Sequence, residues 1–183
     1  TLVLAGGGHV SRAISNIAKT LGFRIFVIDD REEFSNADRF PEAEQTVVSD
    51  YASGFKKLPI GTNSFIVIAT RGHRYDTAAT AAAMRTPASY VGLLGSRRKT
   101  ILIYEELFAQ GFTMEQVKSV RSPIGLSISA RTPEEIALSI MAEIVAFRLG
   151  GDGGTLKLDD RLIQKAAEKA ARKDGPTLAT AES

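Results

Sequence analysis

Four short apolar runs, Leu2 to Ala5, Ile25 to Ile28, Phe65 to Ala69 and Tyr90 to Leu94, show no polar alternation. That is the pattern of strands buried on both faces of a parallel sheet. Thr46 to Val48 reads as a weaker strand, and helix-spaced stretches fall between the runs at Val10 to Leu21, Tyr75 to Met84 and Lys99 to Gln110. Strand and helix thus alternate, which predicts an α/β fold: a doubly wound parallel sheet with helices on both faces. Ligands of such sheets gather beyond the carboxyl ends of the strands, where the winding reverses.

Further on, Thr132-Pro133-Glu134-Glu135 joins an N-cap, a proline at the first helical position and a glutamate at the third. This capping box predicts a strong helix start. Ile136, Ile140, Ile144 and Phe147 continue it at helical spacing, and Gly150-Gly151 ends it. Residues 1–149 are accordingly expected to form one nucleotide- or cofactor-binding domain. Residues 150–183 read as a Gly-rich linker, a charged helix over Asp160 to Arg172 and a frayed tail from Gly175 to Ser183.

The first strand runs into Gly6-Gly7-Gly8-His9-Val10-Ser11, where Gly6 and Gly8 hold the first two positions of G-x-G-x-x-G and the small Ser11 holds the third. Gly6 would make the tight turn, Gly8 would let backbone amides approach a pyrophosphate, and the helix N-terminus adds partial positive charge. Asp29, followed by Asp30, ends the second strand where a ribose-binding acid is expected, with Arg31 beside it. An unphosphorylated ribose is favoured over NADP. The same glycines also suit a tight strand-to-helix turn with Asp29 capping a loop, and His9 reads equally as a solvent-facing residue.

Two more polar clusters follow strands. Thr70-Arg71-Gly72-His73-Arg74-Tyr75-Asp76 offers His73 as a proton carrier that Asp76 would orient, or else a helix cap. Gly95-Ser96-Arg97-Arg98-Lys99 places three cations in a first helical turn. The helix dipole disfavours them there by ~0.3 to 1 kcal/mol each, and a bound phosphate would reverse that sign. A solvated basic face is the competing reading.

Composition narrows the classes. With 23 basic and 21 acidic residues among 183, the net charge of +2 gives no global field for nucleic acid or a membrane surface. No apolar run approaches the ~20 residues of a membrane span, so a soluble protein is expected. The absence of Cys removes disulfides and thiolates, two His residues cannot build a His-rich metal site, and a cytoplasmic setting is compatible with both. The start at Thr1, one residue before a strand, reads as that of a piece of a longer chain.

The ordered blocks Gly6 to Val10, Val27 to Phe34, Arg39-Phe40-Pro41, Thr70 to Asp76, Tyr90 to Lys99, Pro123 to Leu126 and Thr132 to Ala137 resemble the XdhC/CoxI family. These are accessory factors of xanthine dehydrogenase and related molybdenum hydroxylases, and the resemblance is to their C-terminal Rossmann domain. It implies a maturation chaperone that binds molybdenum cofactor, protects it during sulfuration and delivers it to the apo-hydroxylase. A molybdenum hydroxylase and a cysteine desulfurase are the implied partners, and a homodimer is left open. Arg71 stands where many relatives carry His, and Ser129 where many carry Gly. Two other functions fit the residues alone: an NAD-dependent oxidoreductase using His73 and Asp76, and a nucleotide-sensing regulatory domain.

Overall fold

The computed structural model describes residues 1–173, so the expected tail from Gly175 to Ser183 lies outside the described residues. Its first compact unit spans Thr1–Gly153. Six parallel strands, β1 (Leu2–Ala5), β2 (Ile25–Asp29), β3 (Gln45–Val48), β4 (Phe65–Ile68), β5 (Tyr90–Leu93) and β6 (Val120–Arg121), form one sheet in the order β3-β2-β1-β4-β5-β6. The order reverses between β1 and β4, which puts the crevice of a doubly wound sheet between those two strands.

Alternation along each strand sends neighbouring side chains to opposite faces. Leu2, Leu4, Ile25, Val27 and Val67 therefore pack with Ile14, Ala18, Ile140 and Ile144 of α1 (His9–Thr20) and α6 (Pro133–Leu149). Val3, Phe26, Ile28, Ile66 and Leu93 face the other way. They meet α2 (Tyr51–Phe55), α3 (His73–Ala83), α4 (Arg97–Ala109) and α5 (Met114–Ser119) through Phe55, Ala79, Ile103 and Val117. Helices cover both faces, and the strand runs are apolar throughout because neither face meets water.

The sequence pattern locates the long elements to within a residue or two. α3 and α4 each begin two residues before the expected start, which makes His73 and Arg97 the first residues of their helices. Four elements escaped the pattern, among them the 3₁₀ turn at Glu32–Phe34. α2 is a single turn capped by Asp50, whose Oδ1 accepts from the Ser53 amide at 2.9 Å. α5 starts from a capping box of Thr113 and Gln116, and β6 is a two-residue edge strand too short to show a period. The second unit begins at Gly154 and contains α7 (Asp160–Lys173), the expected charged helix.

Along α4, Ile103 is 0% exposed and Ile101 58% exposed. Ile103→Ala should lower the unfolding free energy by about 2 to 5 kcal/mol through lost burial and a residual cavity, while Ile101→Ala should cost well under about 1 kcal/mol. Urea titrations of the two variants test this orientation, and equal losses would contradict it.

Candidate anion and cofactor site

The Gly-rich turn is built against its neighbours. Gly6 holds φ at +104°, and a Cβ there would stand 2.2 Å from the Ala69 carbonyl oxygen at the end of β4. A Cβ on Gly7 would stand 1.7 Å from the Phe34 carbonyl oxygen, whereas around Gly8 there is nothing within 4 Å. The first two glycines thus let the turn lie against protein, and the third leaves it open to the outside.

Asp29 secures this turn. Its side chain is 0% exposed; Oδ2 accepts from the Gly7 amide at 2.9 Å and from Arg31 Nη2 at 3.1 Å, and Oδ1 accepts from Arg31 Nε at 2.9 Å and the Arg31 amide at 3.1 Å. Burial alone would raise its pKa, but the Arg31 guanidinium and the two amides outweigh burial and hold it below the ordinary value. Where a ribose contact was expected, both oxygens accept hydrogen bonds from the protein. Arg31 is likewise committed, with its guanidinium 3.6 Å from the Phe34 ring centroid. Asp30 remains partly exposed and pairs with Arg71 Nη2 at 2.6 Å, while Arg71 also donates to the Tyr75 hydroxyl.

Helix ends differ in how they are closed. α5 and α6 are sealed by their own capping boxes, and Glu135 Oε2 accepts from the amides of Arg131 at 2.7 Å and Thr132 at 3.0 Å. α1 has no side-chain cap and no acid in its first turn. The amides of Gly8, His9, Val10 and Ser11 meet no acceptor among the described residues, and the Ser11 hydroxyl is buried without a partner. His9 is exposed, and Val10 is half-buried against the α1–α6 core.

The clusters after β4 and β5 are joined rather than separate. Asp76 does not orient His73: its Oδ1 accepts from the Thr70 hydroxyl at 2.7 Å and the Thr70 amide at 3.2 Å, and its Oδ2 pairs with the Lys99 ammonium. His73 Nε2 instead meets Glu106 Oε1 at 2.7 Å, on α4. The expected three-cation clamp is reduced as well. Lys99 is spent on Asp76, Ser96 caps the Lys99 amide at 3.3 Å, and Gly95 lies close to the Lys99 stem. Arg97 and Arg98 are exposed and keep unpaired guanidinium groups among the described residues.

One residue that the sequence pattern missed is Arg39, whose Nε donates to the Gly7 carbonyl at 2.7 Å and whose Nη2 is buried without a partner. No local spacing links it to the glycines. The position where relatives carry Gly also finds a reason: Ser129 holds φ at +56°, the single non-glycine positive φ among the described residues.

A parallel sheet in this order, with a glycine turn at its reversal point and an uncapped helix behind it, defines a Rossmann-type domain. The chain matches the XdhC Rossmann domain over residues 2–144 and belongs to that family. It is 36% identical over 156 residues to Escherichia coli YqeB, covering 85% of this chain and 28% of that protein. It is 29% identical over 147 residues to a Bacillus subtilis protein named as a probable subunit of xanthine dehydrogenase, covering 80% of this chain and 42% of that protein. Over 90 residues it is 29% identical to the E. coli molybdenum cofactor insertion chaperone PaoD, covering 49% of this chain and 28% of PaoD. A crystal structure described as a xanthine dehydrogenase from Bacillus halodurans superposes with a TM-score of 0.71 at 27% identity, covering 85% of this chain and 44% of that one. The chain therefore spans less than half the length of each of these proteins.

Asp29→Asn should destabilise the fold by about 1.5 to 3 kcal/mol, because charge-assisted hydrogen bonds are lost at a buried site. A carboxylate whose pKa is depressed on folding stabilises fully above its unfolded value of ~3.9, and that contribution disappears as the pH falls through the lower folded value. Wild-type stability should thus drop in this acid window and the variant's should drop less; identical pH profiles would refute the role. Ser129→Gly should raise the denaturation midpoint, since glycine holds the left-handed conformation without the Cβ clash of about 1 to 2 kcal/mol, against roughly 0.5 to 1 kcal/mol of added glycine entropy. A lowered midpoint would contradict it.

Proposed function

We propose that this chain is the cofactor-holding domain of a molybdenum hydroxylase maturation factor, binding molybdenum cofactor by its phosphate and passing it to the apo-hydroxylase. The observation that carries this reading is the unsealed start of α1. This chain closes α5 and α6 with its own side chains, yet leaves four amides and a buried hydroxyl unmet at the sheet's reversal point. Unmet buried polar groups are costly, and an anion is the partner that suits a helix N-terminus. Arg97 and Arg98 would add charged donors from the start of α4, two strands along the same edge of the sheet.

The names of two relatives support the same class, one belonging to xanthine dehydrogenase and the other to a cofactor insertion chaperone. In that role the partner is a molybdenum hydroxylase, with a cysteine desulfurase as sulfur donor and the cytoplasm as the place of assembly. When bound, the cofactor supplies the redox-active molybdenum centre of the recipient enzyme. The domain's own residues bind, orient and shield it.

The oxidoreductase alternative is less well served. Asp29 is closed to a ribose hydroxyl, and His73 has no support from Asp76. A nicotinamide dinucleotide would thus lose both its ribose hook and its acid–base pair.

Calorimetric titration with released molybdenum cofactor and, separately, with NADH tests the choice. Replacing Arg97 and Arg98 by Ala should weaken cofactor binding by about 1.5 to 3 kcal/mol per charged hydrogen bond lost, or roughly 10- to 150-fold each. Unchanged affinity would discard the arginine contribution. Absence of cofactor binding together with NADH turnover would overturn the chaperone reading.

A further inference from the structure

We propose that the pterin ring system of the molybdenum cofactor lies apart from its phosphate, in a cavity over the C-terminal ends of β5 and β6. This rests on the reading of α1 as the phosphate site and adds where the other end of the ligand goes. The cavity measures about 370 Å³, and its apolar wall comes from Leu94, Ile124, Leu126 and Ile136. A volume near the low end of the ~300 to 1,000 Å³ typical of small-molecule pockets admits one planar ring system and excludes a whole dinucleotide. The ligand must therefore extend out of it.

Its position suits that extension. Leu94 directly follows β5, and its amide donates to the Ile68 carbonyl at 2.8 Å, tying the cavity wall to the end of β4. Leu94 and Ile136 pack in the same cluster as Val10 of the first turn of α1. With strands about 4.8 Å apart, β1 and β5 are separated by two spacings, or roughly 10 Å. A phosphate at Gly8 and a ring beside Leu94 are thus within one ligand's reach.

The wall is held before any ligand arrives. The Ile124 amide donates to the Leu93 carbonyl at 3.1 Å, the Ser139 hydroxyl to the Leu126 carbonyl at 2.6 Å, and the Gly125 amide to Glu143. Other groups of the same loop are unspent: the hydroxyls and amides of Ser127 and Ser129 have no partner among the described residues. An apolar slot rimmed by free donors and acceptors matches a nitrogen-rich planar ring, whose faces are apolar and whose edge hydrogen-bonds. Arg97 lines the cavity as well as opening α4, and its planar guanidinium can stack on such a ring or meet its phosphate tail.

A larger cavity of about 600 Å³ exists between α2 and α3. Pro87 and Gln110 line it, and both follow the C-terminal ends of their helices. In a parallel βα unit that end lies opposite the strand C-termini, so this space cannot share a ligand with Gly8.

The chain contains no Trp, so a single introduced Trp reports its surroundings without background. Ile128→Trp places it on the wall of the proposed cavity, and Lys56→Trp places a control at the α2–α3 space. Released molybdenum cofactor should quench Ile128→Trp saturably and leave Lys56→Trp unchanged. Inorganic pyrophosphate, having no ring, should quench neither while still giving calorimetric heat. Ala130→Trp, which fills the cavity, should weaken cofactor binding by about tenfold or more and spare pyrophosphate. Cofactor binding to the unmodified chain with no quenching at Ile128→Trp would overturn the ring site and leave the phosphate site standing. No binding of cofactor or pyrophosphate to the unmodified chain would remove both.

Discussion

The geometry of this domain's mouth depends on one buried carboxylate. Asp29 sits at the end of β2 and takes hydrogen bonds from the Gly7 amide and from three donors of Arg31. Without it, the second glycine of the turn would have no anchor, and Arg31 would lose the partner that holds it across Phe34. A buried charge persists only where it is paired and hydrogen-bonded, so the turn, the end of β2 and the 3₁₀ turn at Glu32–Phe34 must form together. Arg39 secures the next peptide of the turn through the Gly7 carbonyl.

The rigidity of that turn explains why the first helix can remain uncapped. A helix N-terminus with free amides normally frays or recruits a side chain. Here Gly7 is fixed at both its amide and its carbonyl, so α1 begins at His9 without such help. The neighbouring strand ends follow another rule. Asp76 draws Lys99 and Thr70 together and so joins α3, α4 and the loop after β4, while Asp30 and Arg71 link β2 to the same loop. Several charges at this edge are thus neutralised within the protein, whereas Arg97 and Arg98 at the start of α4 are left exposed.

How far the sequence could be read follows from what each feature depends on. The long strands were legible because burial on both faces leaves unbroken apolar runs, and α6 because a capping box is a local signal. β6 and α2 were not, since two residues show no period and a one-turn helix containing Gly54 has no propensity to display. At the site, the glycines, Asp29 and the basic turn could be located, but not the partners of their side chains. Asp29 stands where a ribose acid would, and only the placement of Arg31 shows that the carboxylate is already occupied. Likewise His73 and Asp76 are close in sequence and lie on one helix, yet each is claimed from α4 by a residue that no spacing rule could nominate.

These claims bear on what kind of work the edge can do. Acid–base catalysis needs a titrating group within reach of the substrate and free to change partners. Asp76 is locked between Thr70 and Lys99, Asp29 between Gly7 and Arg31, and His73 is directed to Glu106 on the neighbouring helix. What stays available is mainly a set of donors: amides at α1 with the exposed His9 imidazole beside them, two guanidinium groups at α4 and the serine-rimmed loop after β6. Fixed donors stabilise a bound anion without moving a proton. An edge so equipped with donors is suited to holding a phosphorylated cofactor until a partner takes it.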